Sequence, residues 1–511
     1  MKRYGLLAVL SCAVLAVFAV WMGALNQDEG WYLYAAQLVA EGKRPYADFF
    51  YTQAPLMPYV YSLLVPLWKA WGLLGARVAT LVLGLGGIGF AVLLARRFAP
   101  PERRMAAGVI VALLLGCNLY HLYYLAIPKT YALASLLATA GCYLLSFSLV
   151  SHNDEERPAA PALFGGIFIA LAAATRISMG LMLATIGFAL LFSYRRYRLT
   201  FLWFGLGGVL GLAAAFGPFL SDASARAGLV AAQAYHAARG GFDPVMALGS
   251  VSRLVRWYLS LWVLGGWALL RGGGAAIGRE RTGGLWIIAL AALSVMALQL
   301  ASPCPYDDYQ VPVMGLLAVV AAVLSCREEG TANVLLALGL AWAASFGSPL
   351  LEQWKTDGQD RFWTLRKSTS ELGRLRETAR RIEMLDPGGT MLLTQDLYLA
   401  IETRRKVPEG LEMGPFSYWP NRSDLKTKAF AGAKVLDDAA MEALVASAPC
   451  AVAALSGYTF AIAAPVCDET PIDRQIALWS AVKRNYALKF KEERFGQNAT
   501  TLLVLKRKTD R

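Results

Sequence analysis

As far as about residue 349 the chain is a succession of apolar runs broken by short polar stretches; beyond it, charged and apolar residues mix as in a soluble domain. The first run extends from Tyr4 to Leu25 behind Met1-Lys2-Arg3. At about 20 residues it exceeds the apolar region of an ordinary signal peptide, and no A-x-A site precedes Asn26, so it reads as a retained span. Lys2 and Arg3 place its start on the inner side. A second run, Leu73 to Ala95, ends at Arg96-Arg97 with Arg103-Arg104 just beyond, again an inner loop by the same rule. Spans over 105–120 and 129–150 follow, joined by a short external turn, Tyr120 to Pro128.

The run from Phe164 to Phe192 admits two readings. A single span would bury Arg176 in mid-bilayer at a cost of about 2.5 kcal/mol or more, and would put Arg195, Arg196 and Arg198 outside. Two legs meeting near Thr175-Arg176-Ile177-Ser178 put Arg176 at or below the external surface and those arginines inside. Each leg is then about 14 residues, roughly 21 Å, shorter than the ~30 Å hydrocarbon core, which implies a cavity open to the outside. The two-leg reading is adopted. Further spans over 201–219, 257–270, 285–301, 311–325 and 331–346 bring the expected total to about eleven and leave the C-terminus outside. The arginine clusters of the short loops then fall inside; the acid-rich inner loop at 152–157 is tolerated because acids count little.

The chain thus divides into a membrane domain over 1–349 and a small external α/β domain over 350–511. In the latter, a charged helical pattern from Arg361 to Glu383 ends at Asp386-Pro387-Gly388-Gly389. Short apolar runs at Met391–Thr394, Ala451–Leu455 and Thr500–Leu505 read as strands, and Ala439–Ala448 and Ile472–Tyr486 as helices. Phe416–Asn421 reads as a loop. Cys450 and Cys467 flank a strand and loop and form a possible disulfide if the domain lies in an oxidising compartment.

The longest polar and aromatic interruption near the N-terminus runs from Leu25 to Tyr61. It opens on adjacent acids, Asp28 and Glu29. Trp31, Tyr34, Ala35 and Leu38 then recur at helical spacing, as in a helix with one greasy face. Gly42 can end that helix. A second amphipathic piece runs from Pro55 to Trp68. Two interfacial helices around an acidic pair suggest a site at the membrane surface.

Composition supports a membrane protein. The 511 residues are 57% hydrophobic, mean hydropathy is +0.44, and 14 Trp with 22 Tyr suit two membrane–water interfaces. Net charge is +13, but the arginines cluster between apolar runs, where they set topology, so nucleic acid is not expected as a partner. The seven Cys show no CxxC and no zinc spacing. The C-terminal domain carries no phosphate-binding glycine loop and no catalytic triad, and no internal repeat is seen along the chain.

The acidic pair, Tyr46-Ala47-Asp48-Phe49-Phe50 and Gln53-Ala54-Pro55-Leu56 together resemble the first external loop of GT-C glycosyltransferases, which use polyprenyl-phosphate sugars. That family includes protein O-mannosyltransferases, lipid A aminoarabinose transferases and lipopolysaccharide sugar transferases. Gln53 and Ala54 stand where relatives often have Pro, sometimes preceded by Lys. The resemblance is strongest over 25–61 and thinner to about residue 315. It implies a GT-C-like fold and transfer of a sugar from a polyprenyl-phosphate donor to a glycan, lipid or protein acceptor outside the cell (inner) membrane. Such chemistry needs a base for the acceptor hydroxyl and a cation for the departing phosphate.

Asp28 is the candidate base; its alternative role is a helix N-cap. Glu29 is either an acceptor-orienting helper or a first-turn charge on the helix dipole. Asp48 either orients the loop or acceptor or is a turn residue after Pro45. Gln53 belongs to the substrate-binding set by its place in the motif. Arg176 and then Lys129 are the candidate phosphate contacts, with snorkelling to headgroups as the alternative. Arg239 and His236 rank below them, and His121 reads as an interface anchor. Tyr306-Asp307-Asp308-Tyr309 resembles a family segment lining the cavity, so Tyr306 and Asp307 join the candidates. The two acidic pairs could hold Mg²⁺ or Mn²⁺, but a phosphomonoester leaving group needs less charge neutralisation, and no metal is expected. A transporter or flippase of lipid-linked glycan is the alternative function. It would be expected to show repeats and midplane polar residues, and this sequence has neither.

Overall fold

A computed structural model describes residues 2–150, 158–237, 241–271, 279–326, 330–346, 370–420, 432–461 and 470–508. Through Phe346 the described chain is helical: α1 Lys2–Met22, α2 Gln27–Ala40, α3 Leu56–Ser62, α4 Val65–Trp71, α5 Leu73–Phe98, α6 Arg104–Gly116, α7 Leu119–Ala126, α8 Thr130–Leu149 and α9 Ala159–Thr175. There follow α10 Gly180–Phe192, α11 Tyr194–Ser221 (kinked at Tyr197), α12 Ala223–Ala237, α13 Pro244–Trp257, α14 Leu259–Leu270, α15 Arg279–Leu300, α16 Val311–Ser325 and α17 Gly330–Phe346. Among the described residues, six helices are long and apolar enough to cross a bilayer, or seven if α6 and α7, bent by 71°, count as one. Four shorter apolar helices lie over Ala159–Thr175, Ile177–Phe192, Leu259–Leu270 and Asn333–Ser345.

The chain forms two compact units. One comprises Met1–Val20, Val78–Gly217 and Gly241–Arg366; the other comprises Trp21–Arg77, Pro218–Gly240 and Lys367–Arg511. The division places the Asp28 loop in the same unit as the C-terminal residues.

Within the first unit, directions follow from the contacts. Helices α8 and α9 are antiparallel, with Gly141 against Gly165 and Ile169, and the Ser148 hydroxyl donating to the Pro158 carbonyl at 2.9 Å. Helix α15 starts beside Phe98 and Leu149, where α8 ends, so it runs against α8. Helix α10 runs against α15 in turn: Thr185 meets Ser294 at 2.9 Å, and Gln299 Nε2 donates to Ser178 Oγ at 2.9 Å. Hence α9 and α10 are opposed, and the chain reverses at Arg176, whose backbone is extended (φ −144°, ψ 112°). This is the two-leg arrangement. Arginines collect at one end of the unit, where Arg281 Nη1 donates to Ala99 O (3.1 Å) and the Arg97 guanidinium covers the Phe147 ring at 4.4 Å.

In the second unit, the described C-terminal residues give helices α18 Glu371–Leu385, α19 Leu397–Thr403, α20 Asp438–Ser447 and α21 Ile472–Asn485, and strands β1 Val452–Leu455, β2 Tyr486–Phe495 and β3 Thr500–Arg507. The sheet is antiparallel in the order β1-β3-β2, with Val452 opposite Lys506 and Tyr486 opposite Arg507. The run Met391–Thr394 supplies isolated bridges rather than a strand, Met391 to Lys406 and Leu393 to Ala453. Residues 361–369 of the expected charged helix, and Cys467 of the expected disulfide, lie outside the described residues.

Helix α2 ends as the sequence suggests. Gly42 has φ +89°, and its N–H bonds Val39 O while Lys43 N–H bonds Leu38 O, both at 2.9 Å, closing a left-handed C-cap. The one greasy face does not describe its surroundings, however. Glu29 to Ala36 are all buried, on every side of the helix. Residues of the C-terminal stretch supply part of that cover: Tyr34 Oη accepts the Val407 N–H at 3.1 Å, and Gly30 lies against the Leu397–Tyr398 backbone.

Candidate functional site: an acid on α2 and a cation cluster at one helical end

The acidic pair at the start of α2 splits into two different environments. The N-cap is Asn26, whose side chain accepts the Asp28 N–H at 3.0 Å while the Glu29 carboxylate takes the Asn26 N–H at 2.9 Å, a reciprocal capping box. The cap considered for Asp28 is therefore Asn26 instead. Glu29 is fully buried, and Arg77 meets both its oxygens, Nε to Oε2 at 2.7 Å and Nη2 to Oε1 at 2.6 Å. Arg77, also fully buried, donates in addition to the carbonyls of Gly23 (3.0 Å) and Ala24 (2.8 Å). So enclosed, Glu29 cannot reach a substrate in this conformation. Asp28 is only partly buried, and its Oδ1 accepts the Trp31 indole N–H at 3.1 Å.

Aromatic rings surround this turn. Trp31 stacks on Tyr32 (3.6 Å between centroids) and meets Tyr51 and Phe416 edge-on at 5.8 and 6.2 Å. Phe416 comes from the stretch read as a loop. The other motif residues mostly tie the loop to itself. Asp48 Oδ2 accepts the Arg44 N–H at 2.6 Å, and Arg44 pairs with Asp222 at 2.9 Å. Tyr46 Oη donates to Gln53 O, and Gln53 Nε2 lies 3.4 Å from His236 Nε2, which sits 2.7 Å from Thr52 O.

In the first unit a second constellation forms where α8, α9, α13 and the 306–310 turn meet. Lys129 Nζ (3.1 Å) and Tyr131 Oη (2.7 Å) share Asp308 Oδ2. Tyr120 Oη donates to Asp307 Oδ2 at 2.8 Å, and Arg253 Nε to Asp307 Oδ1 at 3.0 Å. The Arg176 guanidinium lies over Tyr309 (4.4 Å) and Tyr131 (5.1 Å), with Nη1 3.5 Å from Thr130 Oγ1. Arg256 faces Arg253 and Asp307. Four cations thus meet two carboxylates, and the imbalance suits an anion.

Structure brings Lys129, Arg176 and Asp307 together, with half-exposed Tyr306 beside Tyr309 (5.4 Å between rings). Sequence reasoning missed Arg77, Tyr131, Arg253 and Arg256. Arg77 had a signal, as the lone charge inside an apolar run. Arg253 and Arg256 are i, i+3 on α13, whose start Asp243-Pro244 is a cap followed by an N1 proline. His121 is buried, with Nδ1 2.8 Å from Tyr258 Oη. Arg239 lies outside the described residues. Among the described residues, no three His, Cys, Asp or Glu side chains are grouped as metal ligands.

No family model matches the sequence, and no curated protein matches it significantly. Solved structures do match across its length. ArnT from Cupriavidus metallidurans bound to undecaprenyl phosphate aligns over 99% of this chain and 97% of its own, at 14% identity and a TM-score of 0.60. The same enzyme in its apo state gives 16% identity and 0.52 over 99% and 98%. The archaeal oligosaccharyltransferase AglB from Archaeoglobus fulgidus, in complex with an inhibitory peptide and a dolichol-phosphate, gives 11% identity and 0.50, covering 98% of this chain and 74% of that one. These are GT-C proteins, and the chain, with several helices able to cross a bilayer, is a multi-pass membrane protein of the GT-C fold.

Proposed function

We propose that the protein is a membrane glycosyltransferase that moves a sugar from a polyprenyl-phosphate donor to a hydroxyl of a glycan, lipid or protein acceptor on the outer side of the cell membrane. The observation that supports this most is the whole-length likeness to ArnT solved with undecaprenyl phosphate. In the reaction the acceptor oxygen bonds the anomeric carbon as the bond from that carbon to the phosphate oxygen breaks. Asp28 takes the acceptor proton, and the electron pair of the broken bond leaves on the lipid phosphate. The cation cluster of Lys129, Arg176 and the α13 arginines suits an anion such as a lipid phosphate, and a phosphomonoester leaving group calls for no metal. Glu29 serves the fold through Arg77, and Asp48 and Gln53 hold the loop. In this reading the four shorter apolar helices complete eleven crossings, and the C-terminal residues lie outside.

Asp28→Asn tests the assignment. Asn26 remains as the cap, and Asn at 28 keeps an oxygen for the Trp31 indole. The loss of first-turn charge costs about 0.3–1 kcal/mol. Transfer should fall by roughly 10²-fold or more. The assay offers undecaprenyl-phosphate-linked pentoses and hexoses to membranes from cells lacking the protein and follows labelled sugar into glycan, lipid and protein fractions. Undiminished transfer by Asp28→Asn would end the role of Asp28 as base.

A further inference from the structure

The first turn of α2 is held from outside by the C-terminal residues, and the hold converges on one buried acid. Asp396 is fully buried, and its Oδ1 gathers three donors: Gln27 Nε2 at 2.9 Å, Tyr398 Oη at 3.0 Å and Ser456 Oγ at 3.0 Å. Its other oxygen, Oδ2, has no hydrogen-bond partner among the described residues. Gln27 immediately precedes Asp28, and its own N–H is taken by Gln497 Oε1 at 2.9 Å, with a longer contact from Nε2 to Gln395 O at 3.4 Å. One turn on, Gly30 faces the backbone of residues 397 and 398 so closely that a Cβ would stand 2.4 Å from Tyr398 N. Trp31, which donates to Asp28, has Phe416 against its ring. The residue before Asp28, the next but one after it, and its own hydrogen-bond donor are thus all braced by residues 395–416 and 497.

Packing alone does not need this arrangement. Three donors on one oxygen of a buried carboxyl, with the other oxygen unpaired, is a costly way to fill a core. It does fix one thing well, the direction in which the first turn of α2 points. We infer that Asp396, acting through Gln27, is a positioning residue that aims the Asp28 carboxylate, so that the C-terminal residues set the geometry of proton abstraction. The inference rests on Asp28 being the base.

The test uses the full-length protein in detergent with the undecaprenyl-phosphate glycoside found active in the donor panel. Gln27→Met keeps the length of the side chain and removes both Nε2 bonds. It also removes Gln27 Oε1, a buried acceptor with no partner among the described residues, so the fold should tolerate it. Misplacing a catalytic group by an ångström costs up to about 10²-fold. Gln27→Met should therefore lower kcat by roughly 10- to 10²-fold, with the donor KM within about twofold and faster hydrogen exchange of the amides at 26–31. Asp396→Asn, which keeps an oxygen for Gln27, should retain most of kcat.

The decisive comparison is in the Asp28→Asn background. There Gln27→Met should change nothing further, because the group it positions is gone. An equal fold-loss in both backgrounds, or full kcat and unchanged exchange in Gln27→Met alone, would overturn the inference while leaving Asp28 as base. Full activity of Asp28→Asn by itself would instead sink the base assignment, and this inference with it.

Discussion

Replacing Glu29 by Gln removes one charge from a fully enclosed group and leaves its size unchanged. Three N–H groups converge on the two Glu29 oxygens, from Asn26 N, Arg77 Nε and Arg77 Nη2, at 2.6–2.9 Å. Gln offers one oxygen and sets an NH₂ in place of the other, so at least one of these donors faces another donor. Arg77 keeps its charge and loses its counter-ion. Breaking a buried pair from one side costs about 3–5 kcal/mol. At about 2–4 °C per kcal/mol for a unit of 150–250 residues, Tm should fall by roughly 6–20 °C. The double substitution Glu29→Leu with Arg77→Met should recover only part of this, because Arg77 also holds the Gly23 and Ala24 carbonyls. Thermal melts of purified protein in detergent, beside labelled-sugar transfer at matched folded protein, give the answer. A melting temperature within about 2 °C of native, with transfer lost as in Asp28→Asn, would refute the structural reading and return Glu29 to the chemistry.

Arg176→Ala should weaken binding of undecaprenyl phosphate by about tenfold or more, the scale of losing a charge-assisted contact of 1.5–3 kcal/mol; tritiated lipid phosphate binding that matches native would remove Arg176 from the site. Gly30→Ala should cost about 1–3 kcal/mol or more, since the added carbon meets backbone that cannot swing aside; a native melting temperature would show that α2 is not held there. Burial raises the Asp396 carboxyl above the ordinary carboxylate range. A raised value in the folded state favours folding most below the unfolded value of about 3.9, and that advantage is lost as pH rises through the folded value. The native chain should therefore gain on Asp396→Asn toward about pH 4 and lose ground toward about pH 8, in melts across that range; a difference independent of pH would refute it.

The long apolar helices were legible because membrane solvent imposes one demand, a long apolar run, and arginines mark its ends. The reversal at Arg176 was legible for the same reason: a guanidinium in mid-bilayer is costly enough to choose between topologies. Strand β2, with burial alternating irregularly along YALKFKEERF, was not, because it carries Lys and Glu at the sheet edge and is broken by register shifts. At the site, the motif gave Asp28 and Glu29 but not their difference. That difference is made by Arg77, in the next apolar run, while Gln395 and Asp396, far along the chain, hold the neighbouring Gln27. The enclosure of α2 was hidden likewise, because spacing reports a helix's own faces and not what a distant segment lays over them.

Adjacent acids at a helix start point about 100° apart, and that rotation separates their roles. Glu29, at the third helical position, turns back toward the cap, where its oxygens satisfy Asn26 and Arg77, and its charge is cancelled in place. A carboxylate so enclosed is out of reach of an incoming hydroxyl in this conformation. Asp28, one residue earlier, keeps partial exposure and accepts an indole N–H, a neutral donor that orients the carboxylate. A general base needs both conditions, a fixed direction and access to the proton it takes. The buried pair then does more than stabilise. By fixing Glu29 to Arg77 and through it to the carbonyls of Gly23 and Ala24, it fixes the origin of the turn from which Asp28 projects. The C-terminal residues fix the same turn from its other side through Gln27. Two independent anchors on four consecutive residues leave the Asp28 side-chain torsions as the main remaining freedom, and the Trp31 hydrogen bond restrains those.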